Sequence, residues 1–146
     1  VLLVDDDEND RVVFRTALKK SGLNVELFEA SDGFAGINYL IGHGPRSDRG
    51  EFPWPDMIFL DLKMPGMDGL DVLKEIRMKL GLQNLPVVVL TNSGLKVDTT
   101  AAYSLGASAF HTKPSNHEEL IGLLQSVIPL WYGNGSSPSL GNSKEI

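Results

Sequence analysis

Short apolar runs alternate with longer amphipathic stretches along this chain, and Gly, Pro or Asp marks most of the switches. Val1–Val4 is an apolar run that stops at Asp5-Asp6-Asp7-Glu8. Glu8–Lys20 then reads as a helix, with Val13, Ala17 and Lys20 spaced at about one turn and Ser21-Gly22 ending it. Val25–Ala30 alternates as a strand should, and Ser31-Asp32-Gly33 opens a second helix over Phe34–Ile41, with Ile37, Leu40 and Ile41 on one face. Residues 42–55 mix Gly42, Gly44, Pro45, Gly50, Pro53 and Pro55 with charges, which predicts a long loop of the functional or mobile kind.

The second half repeats the alternation. Met57–Leu62 is an apolar strand carrying one carboxylate, Asp61, near its end, and the turn-rich Lys63–Gly69 follows. Leu70–Leu80 predicts a helix with Val72, Leu73 and Ile76 inward and Lys74, Glu75 and Lys79 outward. Pro86–Thr91 is almost wholly apolar and β-branched, the mark of a strand buried on both faces. Val97–Leu105 is a weaker helix, and Ser108–Thr112 a short fifth strand. The final helix carries a stripe of Leu120, Leu123, Leu124, Val127, Ile128 and Trp131. Residues 133–146 are polar and of low complexity, which predicts a flexible tail. Five strand–helix units over residues 1–132 predict an α/β domain: a doubly wound parallel sheet with helices on both faces and right-handed crossovers.

Composition narrows the function classes. The 146 residues carry a formal charge of −6 and include no run of Lys or Arg, which argues against nonspecific nucleic-acid binding. No cysteine is present, so disulfides and thiolate metal sites are excluded. No apolar stretch reaches the ~18 residues of a membrane span. No signal peptide is visible, and the expectation is a cytoplasmic domain with no membrane partner. The chain opens inside a strand without an initiator Met, so a few native residues are expected to precede it.

The candidate chemistry gathers at strand ends. In a doubly wound sheet the carboxyl ends of the strands share one rim, where ligands bind. Asp5 and Asp6 follow the first strand, Asp61 the third, Thr91 the fourth and Lys113 the fifth. Crowded carboxylates repel and raise one another's pKa values, a conflict that a hard divalent cation relieves. Mg2+ or Mn2+ suits an all-oxygen set, whereas zinc or copper would call for His or Cys. A carboxylate beside such an ion can accept a phosphoryl group, with the Lys113 ammonium and the Thr91 hydroxyl serving the other oxygens.

Val4-Asp5-Asp6, Leu60–Gly69, Leu90-Thr91-Asn92 and Lys113-Pro114, in this order and at these separations, resemble the receiver domains of two-component response regulators. The resemblance covers residues 1–132 and implies the flavodoxin-like strand order 2-1-3-4-5. It implies Asp61 as phosphoacceptor, Asp6 as direct metal ligand, Asp5 as holder of metal-bound water and the Lys63 carbonyl as a third ligand. It also implies Lys113 as the phosphate-binding lysine with a cis bond to Pro114, Thr91 as a switch hydroxyl, and Phe110 as a switch ring that is partly exposed and lacks a tyrosine's hydroxyl. The side chain of Lys63, two residues after the phosphoacceptor, stands where it can screen attacking water.

The implied activity is that of a signalling phosphoacceptor, with no enzymatic role beyond self-phosphorylation from phosphodonors and autodephosphorylation. Its implied partners are a histidine kinase or phosphotransfer protein, a downstream target of unstated identity and a second copy through the last helices. The 42–55 loop and the aromatic Leu130-Trp131-Tyr132 end resemble single-domain receivers paired with phytochrome-type kinases.

Other readings compete for the same residues. Asp7 and Glu8 suit capping or surface residues and Asp68 a turn residue or helix cap before Gly69, while His43, His111 and His117 share no ligand spacing. An aspartate-nucleophile phosphatase of the haloacid dehalogenase type would use Asp5-Asp6-Asp7 as its Asp-x-Asp start. Against it, Glu8 stands where a small β-branched residue is expected. A flavodoxin-type FMN carrier would need Ser, Thr and Gly after the first strand, and the acidic run there would repel the phosphate.

Overall fold

Each apolar run becomes a strand of one parallel sheet in the computed structural model, which describes residues 1–42 and 48–132. The strands are β1 (Leu2–Val4), β2 (Phe28–Ala30), β3 (Ile58–Leu60), β4 (Val87–Thr91) and β5 (Ala109–Thr112). They lie in the order β2-β1-β3-β4-β5, all parallel, with Leu2 beside both Phe28 and Ile58 and Val89 beside Phe110. This is the flavodoxin-like order implied by the receiver resemblance. The helices are α1 (Glu8–Lys20), α2 (Gly33–Ile41), α3 (Gly69–Lys74), α4 (Lys96–Ser104) and α5 (His117–Trp131).

The alternation of side chains along each strand divides the core into two layers. Leu2, Val4, Ile58, Leu60, Val87 and Val89 face a layer closed by Tyr39 and Leu40 of α2 and by Val72 and Leu73 of α3. Leu3, Phe59, Val88 and Leu90 face the opposite layer, closed by α1 and α5. Burial on both faces explains why β4 contains no polar position before Thr91. The predicted α5 stripe seats Leu120, Leu124, Val127 and Ile128 in the core. No helix among the described residues is long and apolar enough to cross a membrane.

Several expectations require correction. The inward face of α1 is Phe14, Ala17 and Leu18, while Val13 is 44% exposed. Phe14 offers more apolar area and meets Phe59 edge-on at 5.0 Å, and this sets the helix's rotation. In α2, Tyr39 and Leu40 turn inward, whereas Ile41 beside the Gly42 cap is 37% exposed. Residues 25–27 lie outside β2. The third helix is not uniform: α3 gives way to a π-helical turn over Glu75–Lys79, where the Leu80 amide reaches back to the Glu75 carbonyl at 2.8 Å.

That wider turn brings Arg77 inside beside Ile76, a burial not anticipated from its charge. Its guanidinium donates to the carbonyls of Leu82, Leu85 (2.7 Å) and Gly106 (3.0 Å), joining the end of this helix to the start of β5. The 42–55 loop is described from Asp48 onward. There Arg49 donates to the Tyr39, Leu40 and Phe52 carbonyls and stacks over Trp54 at 4.1 Å, pinning the loop to the end of α2. His43 and the polar tail over 133–146 fall outside the described residues.

Candidate functional site

Three main-chain hydrogen bonds, each just beyond a strand, fix the rim. The Asp5 amide donates to Ala30, the Asp61 amide to Val4 and the Lys113 amide to Thr91, at 3.1, 3.0 and 2.8 Å. Asp5 and Asp61 therefore project from adjacent strands, β1 and β3, and Lys113 from the edge strand β5, with β4 between them. The loop after β3 folds back tightly over this edge. The Gly69 amide donates to Leu62 at 2.9 Å, and a Cβ on Gly69 would stand 2.3 Å from the Asp61 carbonyl oxygen. Only glycine allows that approach. Asp68 caps α3 in a reciprocal capping box with Asp71, and Asp7 caps α1 by accepting from the Asp10 amide, as their cap readings anticipate.

The side chains converge on one ammonium. Lys113 Nζ lies 2.8 Å from Asp5 Oδ2, 2.7 Å from Asp10 Oδ2 and 3.2 Å from Asp61 Oδ2. Asp5 Oδ1 accepts the Asp7 amide at 3.0 Å, and the Asp5 carbonyl accepts from Arg11 at 2.8 Å. Asp61 Oδ1, by contrast, is buried with no hydrogen-bond partner among the described residues. Such an orphaned oxygen in a polar pocket marks a place where another group belongs.

Electrostatics follow from burial and pairing. Burial pushes the Asp5 carboxyl above its ordinary range; the Lys113 hydrogen bond and the Asp7 amide oppose this, and the charge of Asp61 adds only a minor push. The anticipated mutual repulsion is thus the lesser cause. Burial alone would lower the Lys113 ammonium. Its hydrogen bonds to Asp10 and Asp5 and the charges of Asp61 and Asp5 outweigh burial and raise it, so the lysine stays charged.

Asp5, Asp6 and Asp61 present carboxylate oxygens that all lie within 4.8 Å of one another, with Asp6 the most exposed. Oxygen-only donors, an excess of negative charge and the unpartnered Asp61 Oδ1 together fit a hard divalent cation.

The other anticipated residues sit at or near this rim. Thr91 is fully buried at the end of β4, its hydroxyl 3.5 Å from the Ser93 amide. Phe110 is half-buried on β5 and packs against the α2–α3 layer. The Lys63 side chain is largely exposed and pairs at 3.3 Å with Asp98 of α4, which also accepts from the Ser93 hydroxyl. The Lys113–Pro114 bond is trans, against the implied cis form; the described residues contain no cis peptide. Trans is the ground state of most X–Pro bonds.

Two participants escaped sequence reasoning: Asp10, the shortest contact of Lys113, and Asp98. The signal for Asp10 was its place in the first turn of a helix that starts directly beyond Asp5–Asp7.

Fold and rim together define a phosphoacceptor-type α/β domain, and comparison with known proteins gives the family. The response regulator receiver domain family matches residues 1–125, and the chain belongs to it. It is 34% identical to the response regulator Rcp1 of Synechocystis sp., over 95% of this chain and 92% of Rcp1. The Mn(2+)-bound form of Rcp1 superposes with a TM-score of 0.78 over 94% of this chain and 96% of that one. The phosphorylated cyanobacterial phytochrome response regulator RcpA gives 0.81 at 31% identity over 94% of this chain and 96% of that one. A response regulator in red light signaling of R. palustris gives 0.84 at 30% identity, also over 94% and 96%.

Proposed function

We propose that this chain, as a receiver over residues 1–132, takes a phosphoryl group onto Asp61 from a phosphohistidine of a histidine kinase or phosphotransfer protein. One observation carries the reading: Asp61 offers one oxygen to Lys113 and keeps the other buried and unpartnered beside Asp5 and Asp6. An Asp61 oxygen forms a bond to phosphorus as the P–N bond of the phosphohistidine breaks. The electron pair stays with the imidazole nitrogen, which takes a proton from solvent.

Asp5, Asp6, Asp61 and the Lys63 carbonyl are the groups that would hold Mg2+, as relatives and donor chemistry suggest. When bound, such an ion would neutralise the charge on the phosphoryl oxygens. Lys113 stabilises another phosphoryl oxygen, and the strand-end backbone holds its stem in place. Thr91 is the hydroxyl placed to follow the phosphoryl group, and its movement vacates space beside the half-buried Phe110. The resulting shift between two pre-existing states is read by a partner at the α4–β5–α5 side.

The location is cytoplasmic in this reading, and the sensor is a phytochrome-type kinase, by analogy with the light-signalling relatives. Phosphorylation-driven pairing of two copies through the last helices belongs to the same reading. Sedimentation with and without beryllofluoride tests it, and an unchanged monomer argues against it.

Acetyl phosphate with Mg2+ should label the wild type at one aspartate and leave Asp61→Asn unlabelled. Equal labelling of that variant would overturn the assignment.

A further inference from the structure

We infer that Asp10 is a positioning residue for Lys113, holding the ammonium at the rim when a divalent ion claims the oxygens of Asp5 and Asp61. The inference rests on the phosphoacceptor reading above and adds a residue to it.

An ammonium has three N–H donors. Lys113 directs them at three carboxylates, Asp5, Asp10 and Asp61, at 2.8, 2.7 and 3.2 Å. Two of those acceptors, Asp5 and Asp61, belong to the group whose oxygens cluster within 4.8 Å and suit a cation. Asp10 lies outside that group. A divalent ion and an ammonium compete for the same carboxylate charge, and the ion is the stronger competitor. Once it is bound, Asp5 and Asp61 hold Lys113 less firmly.

The lysine side chain is only 13% exposed, so an ammonium without a partner there would be driven towards water. Asp10 prevents that departure. Its backbone is fixed in the first turn of α1, where its amide donates to Asp7 Oδ1 at 3.0 Å. Its carboxylate is 35% exposed and keeps good solvation while bonding the lysine. Lys113 can then remain on Asp10 with one donor and turn another to the incoming phosphoryl oxygen.

The arrangement also sets a direction for metal binding. With Asp10 present, Lys113 has somewhere to go when the ion arrives. Without it, each ion must displace the lysine from its last partners, so affinity for the ion falls by more than the loss of one nearby charge would explain.

Asp10→Asn tests this against Glu8→Gln, which removes the same formal charge from the same helical turn and touches no group of the rim. Mn2+ affinity is read by the electron paramagnetic resonance of free ion, and labelling by acetyl phosphate is followed in parallel. Asp10→Asn should slow labelling by roughly tenfold, the scale of one lost charge-assisted hydrogen bond in a reacting site. It should weaken Mn2+ binding by about threefold more than Glu8→Gln does, with Asp10→Glu restoring much of both.

In a Lys113→Met background, Asp10→Asn should weaken Mn2+ binding only as much as Glu8→Gln does, because the lysine it positions is gone. The inference is overturned if Asp10→Asn matches Glu8→Gln in the wild-type background, or if its excess effect persists without Lys113. If Asp10→Asn fails to fold, Asp10→Ser against Glu8→Ser repeats the comparison: equal Mn2+ affinities and equal labelling rates for the two would overturn the inference. Failure of the phosphoacceptor reading looks different, since the wild type itself would go unlabelled or Asp61→Asn would label equally.

Discussion

The α1–α5 pair and helix α4 are buried to different extents, and the site touches both. α5 lays Leu120, Leu124, Val127 and Ile128 against Phe14, Ala17 and Leu18 of α1. α4 buries only Asp98 and Ala102 and leaves Val97 and Tyr103 70% and 49% exposed. Asp5, Asp10 and Lys113 belong to the dense side; Thr91, Ser93 and the Lys63–Asp98 pair belong to the loose one. Charged groups need fixed positions to stabilise a reacting phosphoryl group, whereas a signal needs an element that shifts at little cost. The molecule separates these demands in space.

The largest effect should come from the dense side. Leu124 is fully buried, so Leu124→Ala should cost about 2–5 kcal/mol. Val97→Ala on α4 should stay within about 0.5 kcal/mol. Urea denaturation of both variants measures the contrast, and comparable losses would erase it. Arg77→Met should come next. It strips donors from the buried carbonyls of Leu82 and Leu85 and from that of Gly106, for a loss of roughly 1–3 kcal/mol. It should also loosen the start of β5, next to α4, more than it loosens β1, which hydrogen exchange by segment can resolve.

How much of this was legible in the sequence also divides by side. The β4 run and the α5 stripe were plain because full burial leaves a pure apolar pattern. Asp61 was plain because a carboxylate ending such a strand is costly to fold unless it projects into a polar site. The phase of α1 was misread because Val13 and Phe14 are adjacent apolar residues, and the packing partner Phe59, distant in sequence, decides between them. Arg77 was unreadable for a different reason. Its burial depends on a π-helical turn and on carbonyls supplied by Leu82, Leu85 and Gly106, none of which a helical period encodes. Asp10 resembled an ordinary first-turn acid, a role it does fill, and only the approach of Lys113 from β5's end gives it a second one.

Between the two sides lies the loop after β3, and Gly69→Ala probes whether it holds the site as closely as its backbone suggests. The added methyl meets the Asp61 carbonyl and Leu62 Cα, so either the loop or Asp61 must move. A displacement of this kind at a reacting group should slow labelling by roughly tenfold to a hundredfold. The dense side should keep its hydrogen-exchange protection. Uniform loss of protection would mean that the loop supports the fold rather than the site.

The smallest effect, and the one that bears most directly on the loose side, concerns Asp98. The Ser93 hydroxyl holds its carboxyl below the ordinary range; burial opposes this, and the hydrogen bond and charge of Lys63 add to the lowering. A carboxyl with a depressed folded pKa stabilises the fold above its unfolded pKa, and that contribution is lost as pH falls through the folded value. Near neutral pH, Asp98→Asn should therefore speed amide exchange in α4 while leaving α5 unchanged. As pH falls below the ordinary carboxylate value of about 3.9, the wild type should lose the same attachment and the two proteins should converge. Exchange measured across that range checks the sign. A gap between wild type and Asp98→Asn that stays constant into acid would mean that Asp98 contributes shape rather than charge. The tether between the loop after β3 and α4 would then not be ionic.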